Sequence, residues 1–216
     1  MDNLLDEPTV LIEYQCFGNI NFWIELAHCP NVFFEHYEKF QKNGFRNRYQ
    51  VLSSNGVLTL TVPVVGGRET KELTSVVKID NSTPWQAQHW KTIQSCYNKS
   101  PFFQYYQMGL SHLYQNTFQS LIEFDLATFD WVSKALKLKV GFRPTQSFTR
   151  EANNLGTKDL RGQFRTGNRL NRLQTKYIQV FGTGFHPNLS ILDLLFNLGP
   201  ESKPYLTDNY AISTDN

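Results

Sequence analysis

The chain has 216 residues, of which 21 are Lys or Arg and 19 are Asp or Glu, for a net charge of +2. That balance excludes a bulk polycation or polyanion acting through charge alone. With 40% apolar and 19% charged residues the composition is that of a folded globular chain, not a disordered one.

One domain over 1–216 is expected, with a core that removes about 70% of the unfolded surface from water. Cys16, Cys29 and Cys96 form no C-x-x-C pair, which argues against a disulfide framework or a zinc knuckle. The acidic start through Pro8 lacks the basic and apolar regions of a secretory leader, and no apolar run reaches the ~18 residues of a membrane span. A cytoplasmic protein without membrane insertion is expected.

In chain order, Val10-Leu11-Ile12 reads as a buried strand, Asn21 to Ala27 as a helix stopped near Pro30, and Val32-Phe33-Phe34 as a second buried strand. Strand, helix, strand is the opening unit of an α/β sheet. Asn55-Gly56 is a strong hairpin signal between Tyr49 and Val65. With that pair as the turn, Ser53 faces Leu58, Val51 faces Leu60 and Tyr49 faces Val62. Strand alternation then sends Asn47 toward the core and Arg46 and Arg48 away from it.

Thr83-Pro84 and Ser100-Pro101 read as two helix starts, the helices running to about Tyr97 and Tyr114. Leu121, Ile122, Leu126, Phe129, Val132 and Leu136 recur at helical spacing. Val140 to Phe148 reads as a returning strand. The polar stretch 149–176 reads as a long loop or lid. Ser190 opens a short helix that Gly199-Pro200 ends, and 207–216 reads as a frayed tail. The fold class expected from this order is mixed α/β, with α+β as the alternative.

Familiar catalytic motifs are absent, and Gly182-Thr183-Gly184 is a lone G-x-G. His28, His36, His89, His112 and His186 lack metal-ligand spacing, so neither a metal nor another cofactor is expected. The densest polar cluster is Glu35 to Arg48, directly after a buried strand, where α/β sheets build their sites. Glu35, His36 and Glu38 are the candidate general bases, and Arg46 and Arg48 the candidates to hold a carboxylate or phosphate. Gln41, Lys42 and Asn47 complete that cluster as polar substrate contacts, although the strand alternation separates Asn47 from the arginines. His89, sharing a helix face with Trp85 and Cys96, reads as a core-edge histidine or a substrate contact.

A second charged stretch holds Lys158, Arg161, Arg165, Arg169, Arg172 and Lys176 against Asp159. The last five step by 4, 4, 3 and 4, which on a helix would form one basic face for an anionic partner, with Arg161 a substrate contact.

Several ordered motifs carry a family resemblance. Gln41-Lys42-x-x-Phe45-Arg46-Asn47-Arg48, Asn55-Gly56 and Leu60-Thr61-Val62-Pro63-Val64 resemble the WbqC-like family. So do Val77-Lys78-Ile79-Asp80, Ile93-x-x-x-Tyr97-x-Lys99-Ser100-Pro101-Phe102-Phe103, Tyr177-Ile178-Gln179-Val180-Phe181, and Phe185 to Leu195. The match spans about Tyr14 to Leu206 and fits a shorter branch, with His36-Tyr37 where longer members carry two aspartates. The resemblance implies a bacterial link to O-antigen, lipopolysaccharide and other surface-polysaccharide biosynthesis, and glycyl transfer. The expected function is therefore an aminoacyl (glycyl) transferase acting on an amino sugar or its nucleotide-linked form. Its expected partners are that small molecule and an activated acyl donor, with nucleic acid present only if the donor is an aminoacyl-tRNA. The alternative is a non-catalytic protein that binds an anionic partner.

Overall fold

The computed structural model describes residues 8–41, 44–67, 70–148, 157–165, 174–182 and 184–211. Its content is mixed α/β: a four-stranded parallel sheet, a two-stranded antiparallel sheet and helices.

Strand β1 (Thr9–Glu13), helix α1 (Ile20–His28) and strand β2 (Asn31–Glu35) form the expected opening unit, with β1 and β2 parallel and Glu13 in register with Glu35. Val10, Leu11 and Ile12 are buried, so β1 is covered on both faces, and Val32 and Phe34 bury the matching face of β2. Helix α1 starts because Asn19 accepts a hydrogen bond from the Phe22 N–H at 2.9 Å. It buries Trp23, whose indole N–H donates to the Phe17 carbonyl at 2.7 Å.

The two flanking strands come from late in the chain. Strand β5 (Gly141–Pro144) pairs with β2, and β6 (Thr157–Asp159) pairs with β1, giving the order β5-β2-β1-β6. The chain thus builds outward from β1 through β2 to β5, then reverses to the other side of β1. The reversal lies between β1 and β6, and in an open parallel sheet ligands bind outside the carboxyl ends of the strands at such a point.

Strand β3 (Arg48–Ser53) and strand β4 (Gly56–Thr61) form the hairpin. Its register differs by two residues from the expected one: Ser53 pairs with Gly56, Val51 with Leu58 and Tyr49 with Leu60. The turn is the two-residue loop Ser54-Asn55, and Gly56, with a positive φ of 101°, opens the second strand. A shift of two preserves side-chain alternation, so Tyr49, Val51, Leu60 and Val62 still share the buried side.

Helices α2 (Trp85–Tyr97), α3 (Phe103–Gln115) and α4 (Leu121–Leu136) follow. Neither Thr83 nor Ser100 caps by side chain: Pro84 and Phe102 hold the cap positions without one. Instead Glu123 accepts from the Ser120 N–H at the start of α4. The high aromatic content is spent here, as Phe17, Tyr49, Trp85, Tyr114, Phe124 and Trp131 meet ring to ring.

Helix α5 (Ile191–Leu198) ends at Gly199 (φ 54°), and α6 (Ser202–Ala211) runs into the segment read as a frayed tail. The stretch read as a loop or lid contains β6, while 149–156 and 166–173 lie outside the described residues. Lys158 to Arg165 is strand and turn, not helix, so the basic stripe does not form there, and Arg169 and Arg172 lie outside the described residues. Among the described residues no helix is long and apolar enough to cross a membrane.

Candidate functional site

The carboxyl ends of β1, β2 and β6 place Glu13, Glu35 and Asp159 along one edge of the sheet. Arg161, two residues past β6, ties that edge together. Its Nη1 donates to Glu35 Oε2 at 2.8 Å, its Nε to Asp159 Oδ1 at 3.0 Å and its Nη2 to Asp159 Oδ2 at 2.6 Å. Burial alone would raise the Asp159 pKa, but these bonds hold it below the usual carboxylate range. Glu13 Oε2 accepts from the Gly162 N–H at 2.9 Å, so the turn after β6 closes over β1 as well.

Glu35 is fully committed. Its Oε1 accepts from the Tyr37 N–H at 2.9 Å and the Thr145 hydroxyl at 3.0 Å, and its Oε2 takes Arg161. With both oxygens bonded, Glu35 is a clamp between β2, β5 and β6. His36 is half-buried, with Nδ1 3.2 Å from the Tyr14 hydroxyl.

Glu38 and Arg46 form a second pair. Arg46 Nε donates to Glu38 Oε1 at 2.8 Å, and Nη2 donates to the same oxygen. Arg46 is completely buried, which corrects its expected outward orientation. Strand alternation applies only from Arg48 onward; Gly44 to Asn47 is a bend that turns Arg46 inward. Burial pushes the Glu38 carboxyl up, Arg46 pulls it back, Glu13 and Glu35 raise it further, and the net shift is upward. Among the described residues the hydrogen bonds to the Glu38 carboxylate all reach Oε1, not Oε2.

Three buried polar residues not anticipated from the sequence are left without full partners. Asp125, on α4, is buried with neither carboxyl oxygen hydrogen-bonded. Burial drives its pKa well above the usual range, and Arg46 opposes that shift, so the two charges lie within each other's field. Gln15 is buried with both amide atoms unpartnered, and Glu13 Oε1 is unpartnered too. A signal existed: Asp125 sits four residues from both Leu121 and Phe129, on the apolar face of its helix, and Glu13 and Gln15 follow a run of buried apolar residues. Charges at core positions are rarely accidental.

The other expected contacts fall elsewhere. Asn47 Nδ2 donates to the Val62 carbonyl at 2.9 Å, a structural bond that closes the hairpin base. His89 is buried against Trp85 and Tyr49, with Nδ1 3.0 Å from the Tyr49 hydroxyl. That contact set is a core set, and burial lowers its pKa to about 4. Gln41 is half-buried and Lys42 lies outside the described residues. Arg48 is half-buried at the start of β3.

Comparison with known proteins adds a family to this geometry. The family model described as the WbqC-like protein family matches residues 17–171 and 165–205. The chain belongs to the WbqC-like family. This WbqC-like chain is also 27% identical over 196 residues to "Uncharacterized protein Rv1507c" of Mycobacterium tuberculosis, covering 78% of this chain and 84% of that one. No solved structure matches it. Of the WbqC-like motifs, Phe45-Arg46-Asn47-Arg48 supplies the buried arginine of the site. Tyr177-x-Gln179 serves another purpose: Tyr177, Gln179 and Tyr97 all donate to the buried Asp193 carboxylate, at 2.6, 2.8 and 2.9 Å.

Proposed function

We propose that this chain is a transferase that moves an aminoacyl group, glycyl in its simplest form, onto the amine of an amino sugar or its nucleotide-linked form, in surface-polysaccharide biosynthesis. The observation that carries the reading is the buried, mixed-charge, incompletely partnered cluster at the carboxyl edge of the parallel sheet, beside the point where strand order reverses. Family membership supports it.

In this reaction the acceptor nitrogen attacks the acyl carbonyl. The C–N bond forms, the bond from carbonyl carbon to the donor oxygen breaks, and the nitrogen loses a proton that the departing oxygen regains. Glu38 is the group suited to carry that proton, because no hydrogen bond from the described residues reaches its Oε2 and burial makes it a stronger base. Arg46 Nη1 is suited to the carbonyl oxygen as charge builds there. Glu35, Asp159 and Arg161 position the edge and take no part in the chemistry.

The test is mass spectrometry of purified protein given a nucleotide-linked amino sugar and glycyl donors. The expected product is heavier by one glycyl unit, and Glu38→Gln should slow its formation by about 10²–10⁴-fold. No product from any donor, or an unchanged rate in the variant, would refute the reading.

A further inference from the structure

The β3–β4 hairpin has one covered edge and one open edge. The Val62 N–H donates to the Asn47 carbonyl at 2.8 Å, which makes Asn47 and Val62 a hydrogen-bonded pair of the ladder. Bonded pairs alternate along an antiparallel ladder, so Leu60, Leu58 and Gly56 also turn their backbone groups toward β3. The backbone groups of Gln50 and Leu52 on β3, and of Val57, Thr59 and Thr61 on β4, then point away from the partner strand. On β3 they are covered. The Ser190 N–H donates to the Gln50 carbonyl at 2.9 Å, and the Leu52 N–H donates to the Tyr97 hydroxyl at 3.1 Å. On β4 the Thr61 backbone is met by the His89 ring. Among the described residues no hydrogen bond reaches the backbone of Val57 or Thr59.

An edge of this kind is a template for another strand, and charges or proline on the strand normally protect it. Gly56–Thr61 carries neither, and no charged residue occurs from 49 to 67. Val57 and Leu58 are 43% and 39% exposed, unlike the buried Leu60. Leu58 also lines a cleft of about 480 Å³ between the hairpin tip and α2, beside Thr92 and Cys96.

The edge fits its own copy. Val57-Leu58-Thr59 is a leucine between two β-branched residues, so it presents the same pattern read in either direction. In an antiparallel pairing centred on Leu58, Val57 of each copy faces Thr59 of the other and exchanges two hydrogen bonds with it, about four in all. The two Leu58 side chains meet at the non-bonded position between those pairs, where side chains lie closest. An uncharged strand meets no like charge in the same strand of a second copy.

We propose that β4 is a homodimerisation strand: two copies of this chain pair antiparallel through their β4 edges, joining two hairpins into one four-stranded sheet across a two-fold axis at Leu58. Such a contact is isologous and closes on itself. It is also small, so the dimer belongs to the transient class, with a dissociation constant in the micromolar range.

Sedimentation velocity of the full chain, from low micromolar to submillimolar concentration, tests the proposal. A monomer–dimer equilibrium is expected. Leu58→Lys and Leu58→Glu each place like charges on the axis and should each raise the dissociation constant by tenfold or more, while an equimolar mixture of the two should pair again. Cross-linking reads the register, in a Cys96→Ala background because Cys96 shares the cleft with Leu58. Under mild copper oxidation Leu58→Cys should join two copies at least tenfold faster than Val57→Cys, whose sulfurs would sit on a diagonal too long for a disulfide. A monomer at every concentration overturns the proposal and leaves the edge to a foreign extended segment. A dimer that both charged variants leave intact, or equal cross-linking at Leu58 and Val57, overturns it as well. The wild-type equilibrium and the cysteine pair decide the matter even if a charged variant fails to fold.

Discussion

Glu38→Ala isolates the central energetic feature of the site. It leaves the Arg46 guanidinium fully buried, with the two bonds to Glu38 Oε1 gone. Removing one partner of a buried ion pair costs about 3–5 kcal/mol, because the remaining charge keeps its desolvation penalty. Part is returned, since Glu13 and Glu35 no longer face a third carboxylate, which favours the low end of that range. At 216 residues each kcal/mol moves Tm by about 2–4 °C, so a fall of roughly 6–12 °C is expected at about 3 kcal/mol. Replacing the whole pair by Glu38→Leu with Arg46→Met should recover most of that loss, because no stranded charge remains. Glu38→Gln should fall between wild type and Glu38→Ala, since its amide oxygen still accepts from Arg46 Nε. Urea and thermal unfolding of the four proteins measure the series. A loss below about 1 kcal/mol for Glu38→Ala, or a double variant worse than the single one, would refute the reasoning and mean that Arg46 finds water.

Three further outcomes are expected. His89 is neutral in the fold, with a pKa lowered to about 4, so the unfolded chain binds its proton first as pH falls. Stability is therefore retained above about pH 6.5 and lost toward pH 4, by about 3 kcal/mol from this residue; urea midpoints against pH should show that slope reduced in His89→Gln. Gly56→Ala meets no atom within 4 Å but must hold a φ of 101°, so unfolding should show a purely backbone cost of about 1–2 kcal/mol. Arg161→Met should loosen β6 selectively: the Leu160 amide, bonded to the Leu11 carbonyl at 2.8 Å, should exchange faster while the β1–β2 ladder keeps its protection.

The parts legible in the sequence were those set by local pattern. Val10 to Ile12, Asn21 to Ala27 and Val32 to Phe34 announced a parallel βαβ unit through apolar runs and a proline stop. The hairpin's buried face was legible, but its register was not, because two-residue loops at Ser54-Asn55 and at Asn55-Gly56 bury the same side chains. Thr83 and Ser100 looked like caps by spacing alone, and the prolines after them moved each helix start beyond their reach.

The site was half legible. Glu35 to Arg48 stands out as charge after a buried strand, yet strand alternation does not hold before Arg48, so it does not give the inward side of Arg46. Arg161 stands in the sequence as one of a basic stripe, whereas its bond to Glu35 spans 126 residues, which no local rule reaches. Asp125, Glu13 and Gln15 were hidden because each sits singly among apolar neighbours.

The strand order has a bearing on how the chain comes off the ribosome. Once 40 residues are out, β1 and β2 can meet, but both outer positions of the sheet stay bare until residues 141–144 and 157–159 arrive. For most of translation the inner pair presents two open edges, a state prone to pairing with other chains. Slowing elongation within 36–140 should therefore raise the share of newly made protein recovered as aggregate, and co-expressing a holdase chaperone should reverse it.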